Sequence, residues 1–339
     1  MNDLAPALFG VPRPLRDADL LPDDQPFKPF PPIRRWRNNA GVRALVFMAT
    51  LVAASLLFMI VLVMGLSLTG TTSPEDMQAT LTPLSSAVLI PPAALAYWVL
   101  TRWFEGRRPV YEASWRRAGR GVLTGLALGA GLMLACTAIL GLLGVYRIEG
   151  FNPAHNPWPF IIAGGFGAGI FEEILFRGVL FRLVEDTFGT WASAAVSGLV
   201  FGFVHMTNDH ATVQGALGIA LTAGLLLPAL YVFTRSLWVV MGVHFAWNVV
   251  QGSVLGIVVS GGTAAGDGFI RSSLTGPELL SGGTFGIEAS VVTIVLLTLI
   301  AAWLFTQVHR RGLVVQPFWV RRRRLSAAEP VNPAELVAG

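Results

Sequence analysis

Residues 158–181 read WPFIIAGGFGAGIFEEILFRGVLF. At the α-helical rise of about 1.5 Å per residue, this stretch is long enough to cross a hydrocarbon core of about 30 Å. Yet it carries Glu172, Glu173 and Arg177. An ionised side chain at that depth costs on the order of 2.5–3.5 kcal/mol, so it calls for a compensating contact or a function. The apolar character extends along the chain. Of 339 residues, 53% are hydrophobic and 13% charged, and the mean hydropathy is +0.62. A soluble domain carries about 25% charged residues, so an ordinary soluble globule is excluded. A formal charge of +4 is too small to suggest nucleic acid as a partner. The single cysteine, Cys136, closes no internal disulfide and reads as a buried packing residue.

Eight apolar stretches are predicted to be membrane helices: 44–66, 83–104, 121–146, 158–181, 191–206, 214–233, 237–259 and 287–305. The fold class is therefore all-α, a polytopic helix bundle, because a lipid-exposed backbone must satisfy its own hydrogen bonds. Pro91 and Pro92 are expected to kink the second span, and Pro228 the sixth. Residues 1–43 are proline-rich, lack the apolar core of a signal peptide, and are expected to be a disordered cytoplasmic tail. The bundle occupies 44–306, and 307–339 form a basic tail whose Arg321, Arg322, Arg323 and Arg324 suit anionic headgroups. The loop 260–286 is rich in Gly, Ser and Thr and reads as a flexible outer connection.

Lys/Arg bias sets the orientation. With the N-terminus inside, only Arg147 and Arg271 fall in outer loops and Arg177 lies at membrane depth, which leaves 21 of the 24 Lys and Arg residues inside. That asymmetry supports an even number of spans with both termini cytoplasmic. Many Ala, Gly and Arg residues suit a multi-pass protein of a bacterial inner membrane.

Helix geometry separates the two glutamates. Glu173 and Arg177 are i, i+4 and can pair, whereas Glu172 points about 100° away and is free to face another neighbour. Two more spans carry polar residues on an apolar background: Phe201 and His205 on the fifth, His244 and Asn248 on the seventh. Counted from the inner ends of their spans, Glu172, His205 and His244 lie at about 15, 20 and 10 Å, close enough for one shared pocket. Taken alone, an intramembrane His or Asn is more often interhelical glue than a catalyst, and the adjacent glutamates with Arg177 also read as an ion-pair network that fixes packing. Together they supply a base or metal ligand, two imidazoles and an amide donor, the ingredients for activating water.

Glu172-Glu173-x-x-x-Arg177, Phe201-x-x-x-His205 and His244-x-x-x-Asn248 resemble, in order, the three motifs of the CPBP family, which comprises CAAX prenyl endopeptidases and bacteriocin-processing enzymes. The resemblance covers about residues 155–255. It implies an intramembrane endopeptidase acting on hydrophobic or membrane-anchored peptides. Glu172 is then the general base, His205 and His244 are metal ligands or water-orienting groups, and Asn248 donates to the oxyanion. Glu173, Arg177 and Phe201 are supporting residues. The soluble zincin motif His-Glu-x-x-His is missing. Two versions stay open: a Zn²⁺ or other divalent ion held by Glu172, His205 and His244, or a metal-free glutamate mechanism. Two other classes use the same residues. A proton-coupled transporter would employ them as a relay, and an inactive scaffold would need none of their chemistry.

Overall fold

The computed structural model describes residues 35–70, 73–81, 84, 86–107, 110–262 and 268–321. Most of the expected N-terminal tail and Arg322 to Arg324 lie outside these residues. The first span starts earlier than expected, at Ala40, because Asn39 caps it by accepting from the Val42 amide at 3.2 Å.

Among the described residues, seven helical runs are long and apolar enough to cross a membrane. They are Ala40–Leu68, Ala87–Phe104, Trp115–Leu142, Trp158–Thr207, Val213–Thr234, Leu237–Val254 and Val291–Arg310. The fourth run is 50 residues long, about 75 Å at the α-helical rise and more than twice a hydrocarbon core. It divides at Gly189, whose φ of 83° and ψ of 173° lie outside helical space. A Cβ there would also approach the Pro317 nitrogen at 3.0 Å. The seven runs thus supply eight crossings, and the fourth and fifth are joined by a tight turn. The protein is a multi-pass integral membrane helix bundle.

Two expectations about proline are corrected. Pro91 and Pro92 sit in the first turn of the α-helix Ile90–Trp98, where a missing N–H loses no helical partner. In the sixth span the break falls at Thr222 (φ −90°, ψ −96°), between Val213–Leu221 and Ala223–Thr234, while Pro228 lies inside the second of these helices. The loop after the seventh span is also more than a connection. Its strand β2 (Ile270–Leu274) pairs antiparallel with β1 (Tyr146–Phe151), and Glu278–Ser281 forms a helical turn.

The sixth and seventh spans are the most enclosed, with 78% and 67% of their apolar windows buried against 11% for the first. Small residues permit that enclosure. Gly125 and Gly129 on the third span face the seventh so closely that an added Cβ would lie 2.8 Å from Gly242 Cα and 2.9 Å from Val243 Cα, respectively. Close backbone approach of this kind is how helices associate in lipid, where apolar burial alone gives no preference.

The residues predicted for the inner side meet in one buried ionic layer. Arg182 binds Glu105 at 2.8 Å, Arg107 clamps Glu112 at 2.6 and 2.7 Å, and Tyr97 donates to Glu112 at 2.7 Å. Arg235 pairs with Glu185 at 2.6 Å, and Arg43 and Arg321 both reach Asp186. Burial alone would raise the Glu112 carboxyl, but the charge and hydrogen bonds of Arg107, with the charge of Arg182, outweigh it and hold the group at about 2.

Candidate active site

The fourth span is largely π-helical, over Ile161–Glu172 and again over Ile174–Phe181. Such wide turns are rare and concentrate at functional sites. Glycines on this helix let the seventh span come near. A Cβ at Gly169 would stand 3.0 Å from the Phe245 nitrogen, and one at Gly165 would stand 2.8 Å from the Phe245 ring. The approach brings the two glutamates beside His244.

The pairing expected from helix spacing is present. Glu173 Oε1 accepts from Arg177 Nη1 at 2.9 Å, with both side chains fully buried. The same oxygen lies 2.9 Å from His244 Nδ1. This second contact was not foreseen, since nothing in spacing along one helix reveals a partner 71 residues away. Glu172 is the free member of the pair. Its Oε2 is buried with no hydrogen-bond partner among the described residues, and it stands 4.0 Å from His244 Nε2.

Tautomers follow from the partners. His205 Nδ1 lies 2.7 Å from the Phe201 carbonyl, which can only accept, so that nitrogen carries the proton. The carboxylate of Glu173 imposes the same choice on His244. In the neutral rings both Nε2 atoms therefore present lone pairs. Phe201 is the platform between them, its ring centroid 5.0 Å from that of His205 and 5.8 Å from that of His244. The Arg177 guanidinium covers the same ring at 4.5 Å. Asn248 spends one amide proton on the Gly164 carbonyl at 2.9 Å and keeps the other.

His205, His244, Asn248 and Phe201 line a cavity of about 30 Å³, room for a water. Ile219, Leu226 and Leu297 give it apolar walls, and Thr222, Ser260 and Glu288 add polar atoms. Glu288 belongs to no motif. The only sequence signal for it is an acid at the second position of the apolar stretch 287–305.

The metal question is one of spacing. A carboxylate oxygen and two imidazole lone pairs are the right donors for a divalent ion. Two bonds of about 2.0–2.1 Å at a tetrahedral angle would hold His244 Nε2 and Glu172 Oε2 roughly 3.3 Å apart, and the observed 4.0 Å is wider. Among the described residues, no group of three His, Cys, Asp or Glu side chains is gathered closely enough to hold an ion. The donors match a metal in type, but their spacing does not fit one.

The fold and the site together define a polytopic membrane protein with an acid, two imidazoles and an amide enclosed among its fourth to seventh spans. Residues 154–250 match the Rce1-like family, described as type II CAAX prenyl endopeptidase Rce1-like. The match spans the three motifs and bears out the CPBP resemblance: over this segment the chain is similar to CAAX-type proteases. No curated protein matches the chain.

Proposed function

We propose that the protein is an intramembrane endopeptidase in which Glu172 activates water. The observation that carries this reading is the buried, unpartnered Glu172 Oε2 facing His244 Nε2 across 4.0 Å. That gap is too long for a direct hydrogen bond and suits one bridging water, about 2.8 Å from each atom. Glu172 takes a proton as the water oxygen attacks the scissile carbonyl carbon. The lone pair of His244 Nε2 accepts the water's other proton as a hydrogen bond and so aims the oxygen. His205, held by Phe201, presents its lone pair to the same cavity. The free Asn248 amide proton is the donor available to the developing oxyanion. When the C–N bond breaks, the proton on Glu172 passes to the departing amine, so the carboxylate is regenerated.

The apolar cavity walls and the location within the bundle support a hydrophobic or membrane-anchored peptide as substrate. The abundance of glycine, 37 residues, with many Ala and Arg, supports a bacterial inner membrane as the setting. The test is Glu172→Gln in reconstituted protein with quenched fluorogenic peptides, alongside membrane proteomics of cells carrying each form. A general base contributes about 10²–10⁴-fold, and a loss of that size is expected with the thermal transition in place. Full turnover by Glu172→Gln would remove the mechanism.

A further inference from the structure

Glu288 lies just ahead of the eighth span, buried, and it has no ion-pair partner among the described residues. Its two oxygens serve two different elements. Oε2 accepts from Gln251 Nε2 at 2.8 Å, and Gln251 sits on the seventh span three residues beyond Asn248. Oε1 accepts from both the amide and the hydroxyl of Ser260 at 3.1 Å. Ser260 has a φ of 52°, a left-handed conformation rare outside glycine, and these two bonds hold it there. The Ser260 carbonyl in turn accepts from Asn208 Nδ2 at 2.7 Å, and the Asn208 amide donates to the His205 carbonyl at 3.1 Å.

A continuous hydrogen-bonded path therefore joins the two imidazole-bearing segments through one carboxyl group. The path matters because His205 follows the last α-helical residue, Val204, and rides on the short 3₁₀ turn His205–Thr207. No continuing helix fixes that turn from its far side. His244 and Asn248, by contrast, lie within a helix packed on three neighbours. We propose that Glu288 is a positioning residue, a strut that sets the spacing between the His205 turn and the seventh span, and with it the width of the cavity they share. The proposal rests on the hydrolytic reading of that cavity.

The strut can be tested with and without turnover. Hydrogen exchange on the full chain in nanodiscs compares wild type with Glu288→Ala, Glu288→Gln and Asn208→Ala. Faster exchange is expected over 205–211 and 257–262 in Glu288→Ala. Burial pushes the Glu288 carboxyl above its ordinary range, against the pull of the Gln251 and Ser260 hydrogen bonds. Glu288→Gln keeps one accepting oxygen for Ser260 but turns its amide nitrogen toward the Gln251 Nε2 donor, so it should restore only part of the protection lost in Glu288→Ala. In peptide cleavage, Glu288→Ala should lower kcat by about 10²-fold, the scale of a 1 Å misplacement, with KM little changed. Asn208→Ala should do the same, and the double variant should be no worse than either single one. Unchanged exchange over 205–211 in Glu288→Ala, or losses that multiply in the double variant, would overturn the strut. If wild type cleaves no peptide, the hydrolytic reading fails while exchange still decides the strut. If Glu288→Ala does not fold, Asn208→Ala on its partly exposed turn carries both measurements.

Discussion

Replacing Glu173 with Gln separates what this carboxylate does for folding from what it does for His244. Its Oε1 holds both the Arg177 guanidinium and His244 Nδ1 at 2.9 Å. Arg177 is fully buried, and its remaining hydrogen bond is to the Ala223 carbonyl at 3.2 Å. Removing one partner of such a pair strands a charge, at a cost of roughly 3–5 kcal/mol. At about 2–4 °C per kcal/mol for a domain of this size, the melting transition of Glu173→Gln should fall by roughly 6–20 °C. The amide has a second consequence. It can turn its N–H toward His244 Nδ1, which moves the ring proton to Nε2 and takes away the lone pair facing Glu172. The analogous carboxylate-to-amide change in a serine protease triad costs about 10⁴-fold in kcat. The double variant Glu173→Gln, Arg177→Met removes the stranded charge and should recover most of the thermal stability while staying catalytically dead. Differential scanning fluorimetry on the tryptophan signal and quenched-peptide kinetics read the two quantities on the same samples. If the double variant regains turnover as well as stability, Glu173 acts only on packing and the tautomer argument is wrong.

Other expectations concern packing, pH and metal. Gly129→Val drives a side chain into the Val243 backbone and should cost about 1–3 kcal/mol; Gly131→Val, where an added Cβ meets nothing within 4 Å, should melt like wild type. Equal melting of the two variants would undo the account of how the third and seventh spans approach. Glu112, held at about 2 against an ordinary 4.5, contributes roughly 3 kcal/mol that is present above pH 4.5 and lost as pH falls toward 2. Thermal stability should decline across that window, and Glu112→Gln should flatten the slope. Purified protein should keep its cleavage activity after exhaustive chelation and carry substoichiometric zinc by elemental analysis; one tightly held ion whose removal abolishes turnover would show that Glu172 and His244 close onto a metal.

The spans and the three motifs were legible because both depend on spacing within one segment. Apolar length gives a crossing, and i, i+4 separation gives the Glu173–Arg177 pair without knowledge of any other helix. The eight predicted crossings agree with the seven long apolar runs, of which the longest is divided in two at Gly189. The kinks expected at Pro91 and Pro92 failed because a proline's effect depends on its place in the helix, and the helix start at Ile90 was not marked by a capping side chain. The loop 260–286 misled for a related reason. Its Gly, Ser and Thr content suggested flexibility, but the strand Ile270–Leu274 is fixed by a partner at Tyr146–Phe151, more than a hundred residues earlier.

What the sequence hid about the site is likewise long-range. The three motifs supply chemical groups, but their poise comes from contacts between segments: Glu173 on His244, Phe201 under both imidazoles, and the path from Glu288 to His205. These contacts also bear on how such a site survives in a membrane. Arg177 is matched by Glu173 and one Asn248 amide proton by Gly164, while Glu172 Oε2, Glu173 Oε2 and Arg177 Nε are buried with no hydrogen-bond partner among the described residues. Glu172 Oε2 and the two imidazole lone pairs that face the cavity accept hydrogen bonds, and none of them donates in the neutral-ring state. Acceptors that face one another across such a cavity are stabilised by a molecule that brings protons to both, and water is the simplest one that does.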